Sequence, residues 1–204
     1  MKVVLRCVVL LGLALCLVAA PTMLASPNGV GDEGNQGCQC HAENPSLNVQ
    51  LTGLPEAYSM NTTYNLTLSM DGDVPIQENR SQGGFRMVVT NGTLHFNDTE
   101  AQEMDRGWTH REAGTQQRSW TFQWTSPSES DSRTEFRIWA NAVNGNQAQT
   151  GDGWSSLQVV VPGEDFSGEL KVSEGIDGLS SSERLLLGAV LAVIAGLLWA
   201  SARP

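Results

Sequence analysis

Period-two alternation of apolar and polar residues constrains this chain more than any other feature. In "TYNLTLSM", Tyr64, Leu66, Leu68 and Met70 share one face, and Asn65, Thr67 and Ser69 share the other. "SWTFQWT" repeats the pattern with Trp120, Phe122 and Trp124. "EFRIWANAV" aligns Phe136, Ile138, Ala140 and Ala142, and "SLQVVV" aligns Leu157, Val159 and Val161. A strand with one buried face requires this, because its successive side chains point to opposite sides. Shorter candidates are "LNVQL" from Leu47, "GFRMVV" from Gly84 and "TLHF" from Thr93. About seven strands, polar turns and no convincing amphipathic helix predict an all-β fold. The expected form is an antiparallel, immunoglobulin-like β-sandwich with a dry core and two wetted outer faces.

Both ends of the chain are apolar. Residues 1–26 read as a signal peptide: Lys2 and Arg6 precede an apolar run from Cys7 to Ala20, and Ala19, Ala20, Ala25 and Ser26 offer cleavage points. Cleavage removes Cys7 and Cys16 and leaves Cys38 and Cys40 in an export compartment that permits disulfides. Residues 27–162 form the ectodomain, and residues 163–182, rich in Gly, Ser and acids, read as an acidic stalk. Residues 183–204 are the expected single transmembrane anchor, built on "LLLGAVLAVIAGLLWA" from Leu185 to Ala200. As a helix that apolar run spans about 24 Å, short against a hydrocarbon core of about 30 Å. The implied location is the cell surface, anchored in the cytoplasmic membrane, with the ectodomain outside and Arg203 inside.

Charge narrows the partners. The formal net charge is −10, and the only lysines are Lys2 and Lys171. Such a chain neutralises a phosphate backbone poorly, so nucleic acid is not an expected partner. Sequons at Asn61, Asn65, Asn79, Asn91 and Asn97 make these residues candidate glycosylation sites and the chain a candidate glycoprotein. Asn61 and Asn65 are placed on the polar face of their strand.

The chemistry-bearing stretch is Cys38-Gln39-Cys40-His41. Three readings stay open. Cys38 and Cys40 form a disulfide at the edge of the domain. Alternatively Cys38, Cys40 and His41, with His110 of "WTHR", ligate zinc or copper, since thiolates and imidazoles suit both metals. Alternatively the same four residues hold a c-type haem, with two thiols for the vinyl groups, His41 as the iron ligand and His110 opposite it. His95, in a short strand, reads as structural. Acidic turns at Asp71–Asp73 and Thr150–Trp154 suit calcium in type but lack its loop spacing, and read as turns. Trp120 and Trp124 read as core, whereas Trp108, Trp139 and Trp154 read as candidates for a surface or pocket. No nucleophile elbow, zinc-hydrolase helix or phosphate loop occurs, so no enzymatic activity is expected beyond a redox role of bound haem or copper.

The order of the motifs "GNQGCQCH", "LTGLPEAYSMNTTYNLTL", "GGFRMVV", "WTHR", "SWTFQWTSP", "FRIWANAVNGN" and "TGDGW" resembles the reelin-domain-like family, specifically the prokaryotic choice-of-anchor V proteins. The resemblance runs from about Gly34 to Val161. It implies a secreted β-sandwich displayed by a variable C-terminal anchor. Relatives carry Cys-x-x-Cys-His, the spacing associated with covalent haem, and this sequence is one residue shorter there. The expected role is therefore an anchored module for binding or adhesion to an extracellular protein or glycan, through loops and exposed tryptophans. The alternative is an electron-transfer or metal-binding surface protein built on Cys38, Cys40, His41 and His110.

Overall fold

The computed structural model describes residues 27–38, 41–172, 179 and 181–202. The expected signal peptide, Cys40 and Arg203 lie outside the described residues. Among the described residues nine strands form: β1 (Asn48–Thr52), β2 (Thr63–Asp71), β3 (Gly83–Val89), β4 (Thr93–His95), β5 (Ala101–Met104), β6 (Gly107–His110), β7 (Ser119–Thr125), β8 (Arg133–Ala142) and β9 (Gly153–Pro162). They make two antiparallel sheets, ordered β1-β2-β7-β4 and β5-β6-β3-β8-β9. The sheets belong to one compact unit and the C-terminal helix α1 (Ser181–Ala202) to another.

The inward faces follow the alternation. Leu66 pairs with Phe122 and Leu68 with Trp120 across the β2–β7 ladder, and all four are buried. From the second sheet, Phe85, Met87, Phe136, Ile138, Ala140 and Ala142 meet them. Trp124 packs edge-on to Phe136 with ring centroids 5.2 Å apart. Tyr64 is only partly buried and stacks on Trp124. Each large side chain taken fully out of water contributes roughly 1.5–3 kcal/mol, so these inward rows supply most of the drive to fold.

Two features depart from the expectation. The hairpin of β5 and β6 has no apolar alternation to announce it; its two-residue turn, Asp105-Arg106, holds both residues at positive φ (45° and 57°). That is the turn a tight hairpin needs, although Asn-Gly or Asp-Gly is its usual signal. Second, the two outer faces differ. That of the first sheet is wetted, with β7 alternating exposed and buried without a break up to Trp124. That of the second is wetted only in part, at Ser156 and Gln158 of β9. On the second sheet the outward residues Arg86, Thr109, Glu135 and Trp139 are buried too. Part of the cover is the N-terminal segment Gly29–Gly37, which passes over β3 and β6. Val30 donates its backbone N–H to Thr109 Oγ1 at 3.0 Å, and a side chain on Gly34 would meet Val30 at 2.8 Å and Arg86 at 3.4 Å. The Gly-rich approach to Cys38 is thus a segment packed too closely on a sheet to carry side chains at those points.

The strand unit does not stop at Pro162. Gly163 bridges Tyr58, and the Arg133 guanidinium donates to the Glu169 and Lys171 carbonyls, so the start of the expected stalk is tied to the sandwich. Residues 173–178 and 180 lie outside the described residues. Helix α1 has 22 residues, about 33 Å at the usual rise, which removes the shortfall of the bare apolar run. Its Ser182–Ser201 stretch is long and apolar enough to cross a membrane, with mean hydropathy 2.0 and none of it buried.

Candidate functional site

A cavity of about 1000 Å³ opens where the N-terminal segment leaves the second sheet. Gly37, Cys38 and His41 line it from that segment, and Arg80, Ser81 and Gly84 from the β2–β3 connection and the start of β3. His110 and Thr115 come from the end of β6 and the short 3-10 turn after it. Asn141, Asn146 and Asp152 come from the end of β8 and the β8–β9 connection. Three of the four residues singled out in the sequence, Cys38, His41 and His110, therefore face one space. Cys40 lies outside the described residues, and with it the proposed Cys38–Cys40 disulfide.

His41 is held from two sides. Its backbone N–H donates to the Cys38 carbonyl at 2.8 Å, which ties the two cavity-lining residues to each other. Its own carbonyl accepts the Trp154 indole N–H at 3.1 Å, and Glu43 bridges Trp154 as a short parallel pair. Gly37, at φ +107°, lets the chain pass over that indole: a Cβ there would sit 2.4 Å from the Trp154 ring. The His41 side chain is 9% exposed, and its Nδ1 lies 3.3 Å from Oδ2 of Asp152, itself 5% exposed. This approach is close without hydrogen-bond alignment. Nδ1 is one of three buried side-chain atoms, with Thr134 Oγ1 and Asn141 Oδ1, that lack a hydrogen bond among the described residues. Burial pushes the imidazole pKa below its ordinary 6.5, and Asp152 opposes that shift. Burial thus favours the neutral imidazole, the form that binds metals.

His110 is 8% exposed. Its Nδ1 lies 3.0 Å from the Phe85 amide nitrogen and 3.2 Å from the Phe85 carbonyl oxygen. Accepting from the amide places the ring proton on Nε2; donating to the carbonyl leaves an Nε2 lone pair for a metal. The ring rests on bare backbone, since a Cβ on Gly84 would lie 2.6 Å from its Cε1.

Among the described residues, one trio of His, Cys, Asp or Glu donors lies within 4.8 Å of one another: Asp32, Glu33 and Asp105, all exposed. Cys38, His41 and His110 do not make such a trio, so as they stand they do not converge on one bare ion, whose bonds would be about 2.0–2.3 Å long. The expected acidic turns do structural work instead. Asp71 accepts from the Gly72 N–H, and Asp73 accepts from the Asn44 amide.

Of the three tryptophans expected at a surface or pocket, Trp108 lines a small pocket beside the β5–β6 turn, whereas Trp139 is buried. Trp139 is 8% exposed on the covered outer face, Trp108 stacks on Phe96 at 4.9 Å, and Trp154 holds the His41 backbone. None of the three is an exposed platform. His95 is exposed on β4. All five sequon asparagines are exposed. Asn61 lies in the turn before β2 at φ +49° rather than on a strand face, and Asn79 lies on the cavity wall.

Asp152 is the residue that sequence reasoning missed. "TGDGW" reads as a turn, yet Asp152 Oδ1 accepts the Asn144 N–H at 2.9 Å while Oδ2 faces His41. Gly153 lets Asn44 approach, since a Cβ there would lie 2.6 Å from Asn44 Cβ.

No family model matches the chain, and no curated protein matches it. Solved structures similar to it include the human F-spondin reeler domain, at 17% identity and TM-score 0.40, covering 62% of this chain and 98% of that one. A conjugate transposon protein from Bacteroides vulgatus is similar at 10% identity and TM-score 0.38, covering 61% and 91%. A conjugative transposon lipoprotein from Bacteroides eggerthii is similar at 8% identity and TM-score 0.36, covering 61% and 100%.

Proposed function

We propose that this chain is an exported, membrane-anchored β-sandwich that holds a redox cofactor in the cavity beside Cys38, with covalently attached haem as the group that fits best. The observation that carries this reading is the meeting of a cysteine and two nearly buried imidazoles, Cys38, His41 and His110, on one cavity of about 1000 Å³. That volume is at the upper end of cofactor sites, roughly 300–1,000 Å³, and far exceeds what a single ion needs. Donors spread around such a space suit a group that spans it. His41 would ligate through Nε2, since Asp152 faces its Nδ1, and His110 would do so in the tautomer whose Nδ1–H donates to the Phe85 carbonyl. Cys38 is the described cysteine on the cavity, and the one-residue shortening of Cys-Gln-Cys-His is compatible with attachment through a single sulfur. Bound haem would supply reversible one-electron transfer; the chain supplies ligands, exclusion of water and orientation.

Adhesion through exposed tryptophans loses support, since Trp139 is buried and Trp108 and Trp154 are half-buried against neighbouring groups. The anchor is α1, and the sandwich would stand outside the membrane.

The test is expression of the full chain with a haem-maturation system, followed by visible spectroscopy. A Soret band that survives acid-acetone extraction, and that Cys38→Ser lowers, is the expected result. Colourless protein carrying neither haem nor stoichiometric metal would overturn the proposal. Colourless protein with one zinc or copper per chain would replace haem by a bare metal site and require movement of the donors.

A further inference from the structure

The structure assigns to Asp152 the role of positioning residue for His41: its carboxylate accepts a hydrogen bond from Nδ1–H and leaves Nε2 to face the cofactor, an inference that rests on the cofactor reading above. Three observations converge. The separation of Nδ1 and Oδ2 is 3.3 Å between side chains that are both at least nine-tenths buried. The carboxylate is itself fixed, because Oδ1 accepts the Asn144 N–H at 2.9 Å. The backbone of His41 is fixed by the same strand start, through the bond from Trp154 Nε1 to the His41 carbonyl. Asp-Gly-Trp therefore works as a unit: Asp152 addresses the ring, Gly153 gives the approaching segment room, and Trp154 holds its main chain.

The chemistry follows from the donor inventory. A neutral imidazole carries one proton, and the nitrogen that keeps it is set by the partner of the other. An ionised carboxylate accepts only, so it selects the Nδ1–H form and leaves a lone pair on Nε2. Charge-assisted bonds of this type settle at about 2.7–2.9 Å, and a small ring rotation closes the remaining distance. Carboxylate partners of ligating histidines fix ring orientation and raise ligand basicity, typically with 10–100-fold effects on metal affinity when lost.

The role is separable from simple loop capping, in which Asp152 would only hold Asn144. The full chain, ¹⁵N-labelled at histidine and made without haem-maturation machinery, is studied in detergent micelles by long-range ¹H–¹⁵N correlation at pH 8. We expect His41 to carry its proton on Nδ1, by roughly tenfold or more over the other tautomer. Asp152→Ala should erase that preference, and Asp152→Asn, which keeps one acceptor oxygen, should retain part of it. A wild-type His41 protonated mainly on Nε2, or an unchanged tautomer in Asp152→Ala, would overturn the assignment. If Asp152→Ala fails to fold, the wild-type and Asp152→Asn spectra decide the matter. Failure of the cofactor reading shows elsewhere, as colourless protein from the haem-maturation host. In haem-loaded protein, Asp152→Asn should raise the reduction potential, which a loop cap alone would not move.

Discussion

Replacing Arg86 by methionine should release the N-terminal segment from the second sheet. The Arg86 side chain is fully buried between that sheet and the segment. Its guanidinium donates to Asn35 Oδ1 at 2.9 Å, to the Met104 carbonyl at 2.6 Å and to the Asp105 carbonyl at 3.0 Å. One side chain thus joins the segment to the β5–β6 turn. Burial lowers its pKa from the ordinary guanidinium value, while Asp105, Asp32 and Glu33 oppose that shift. The exposed acidic trio is explained as counter-charge for a buried cation, without any ion. Methionine fills similar length but strands three acceptors, each at about 1–3 kcal/mol if water stays out. Relief of the guanidinium's own desolvation offsets part of that loss. Removing one side of a buried charged network typically costs about 3–5 kcal/mol, and we expect that range.

Against a total stability of about 5–15 kcal/mol for a domain, such a loss is visible in urea. The midpoint should fall with little change in slope if the unit still unfolds as one. Hydrogen exchange localises the effect: the amides of Val30 and Gly34, bonded to Thr109 Oγ1 and the Gly31 carbonyl, should lose protection before those of β7. Arg86→Lys keeps the charge but not the planar fork, so it should recover only part of the loss. A cost below about 1 kcal/mol, or an N-terminal segment still protected in Arg86→Met, would refute the clamp.

Other outcomes follow from single contacts. Gly84→Ala drives a Cβ to 2.6 Å from the His110 ring; we expect a loss of about 1–3 kcal/mol from overpacking and displaced His110 signals in the same histidine spectra. Because burial holds His41 below 6.5, the unfolded chain takes up a proton there that the folded chain resists, so stability should fall as pH drops below about 6.5. His41→Gln should remove that part of the acid sensitivity, measured as urea midpoints at acid and neutral pH. Tyr58→Phe removes a buried hydroxyl that bonds the Glu129 carbonyl at 3.0 Å and Ser132 Oγ at 2.6 Å; thermal unfolding should show a cost of about 1–2 kcal/mol.

The parts of this fold that were legible in the sequence are those where one side chain in two meets a dry interior. Leu66, Phe122 and Phe136 lie where alternation puts them, because a one-residue slip would turn a whole row to water. The β5–β6 hairpin was not legible, since its strands have four residues each and Asp105-Arg106 reaches the left-handed region without glycine. Trp139 was misread for a different reason. Parity correctly sends it outward, but parity does not reveal that a sheet's outer face is covered. Cys38, His41 and His110 were legible as chemistry through residue type, and their shared cavity was not, because Gly34, Gly37 and Gly84 act through the space they leave. Asp152 was hidden by its neighbours: Asp-Gly reads as a turn wherever it occurs, and its partner is more than a hundred positions away.

The interior of this sandwich is full: Trp120, Trp124, Phe85 and Phe136 occupy the space between the sheets. A sizeable cofactor therefore has room only outside the sheets. In the covering segment that makes the cavity wall, the buried residues are Gly29, Gly31, Gly34 and Gly37, which add no apolar side chain to the core. This links docking to binding. If only a fraction of molecules hold the segment down, apparent affinity falls by that fraction. In the wild type Arg86 keeps the fraction near one, so small perturbations of the segment should leave binding unchanged. Arg86→Met has to use up that reserve before affinity suffers, and the two losses should then run in parallel. Retained cofactor with an unprotected Val30 would break the link, because it would mean that Cys38 and His41 hold their places without the segment that leads to them.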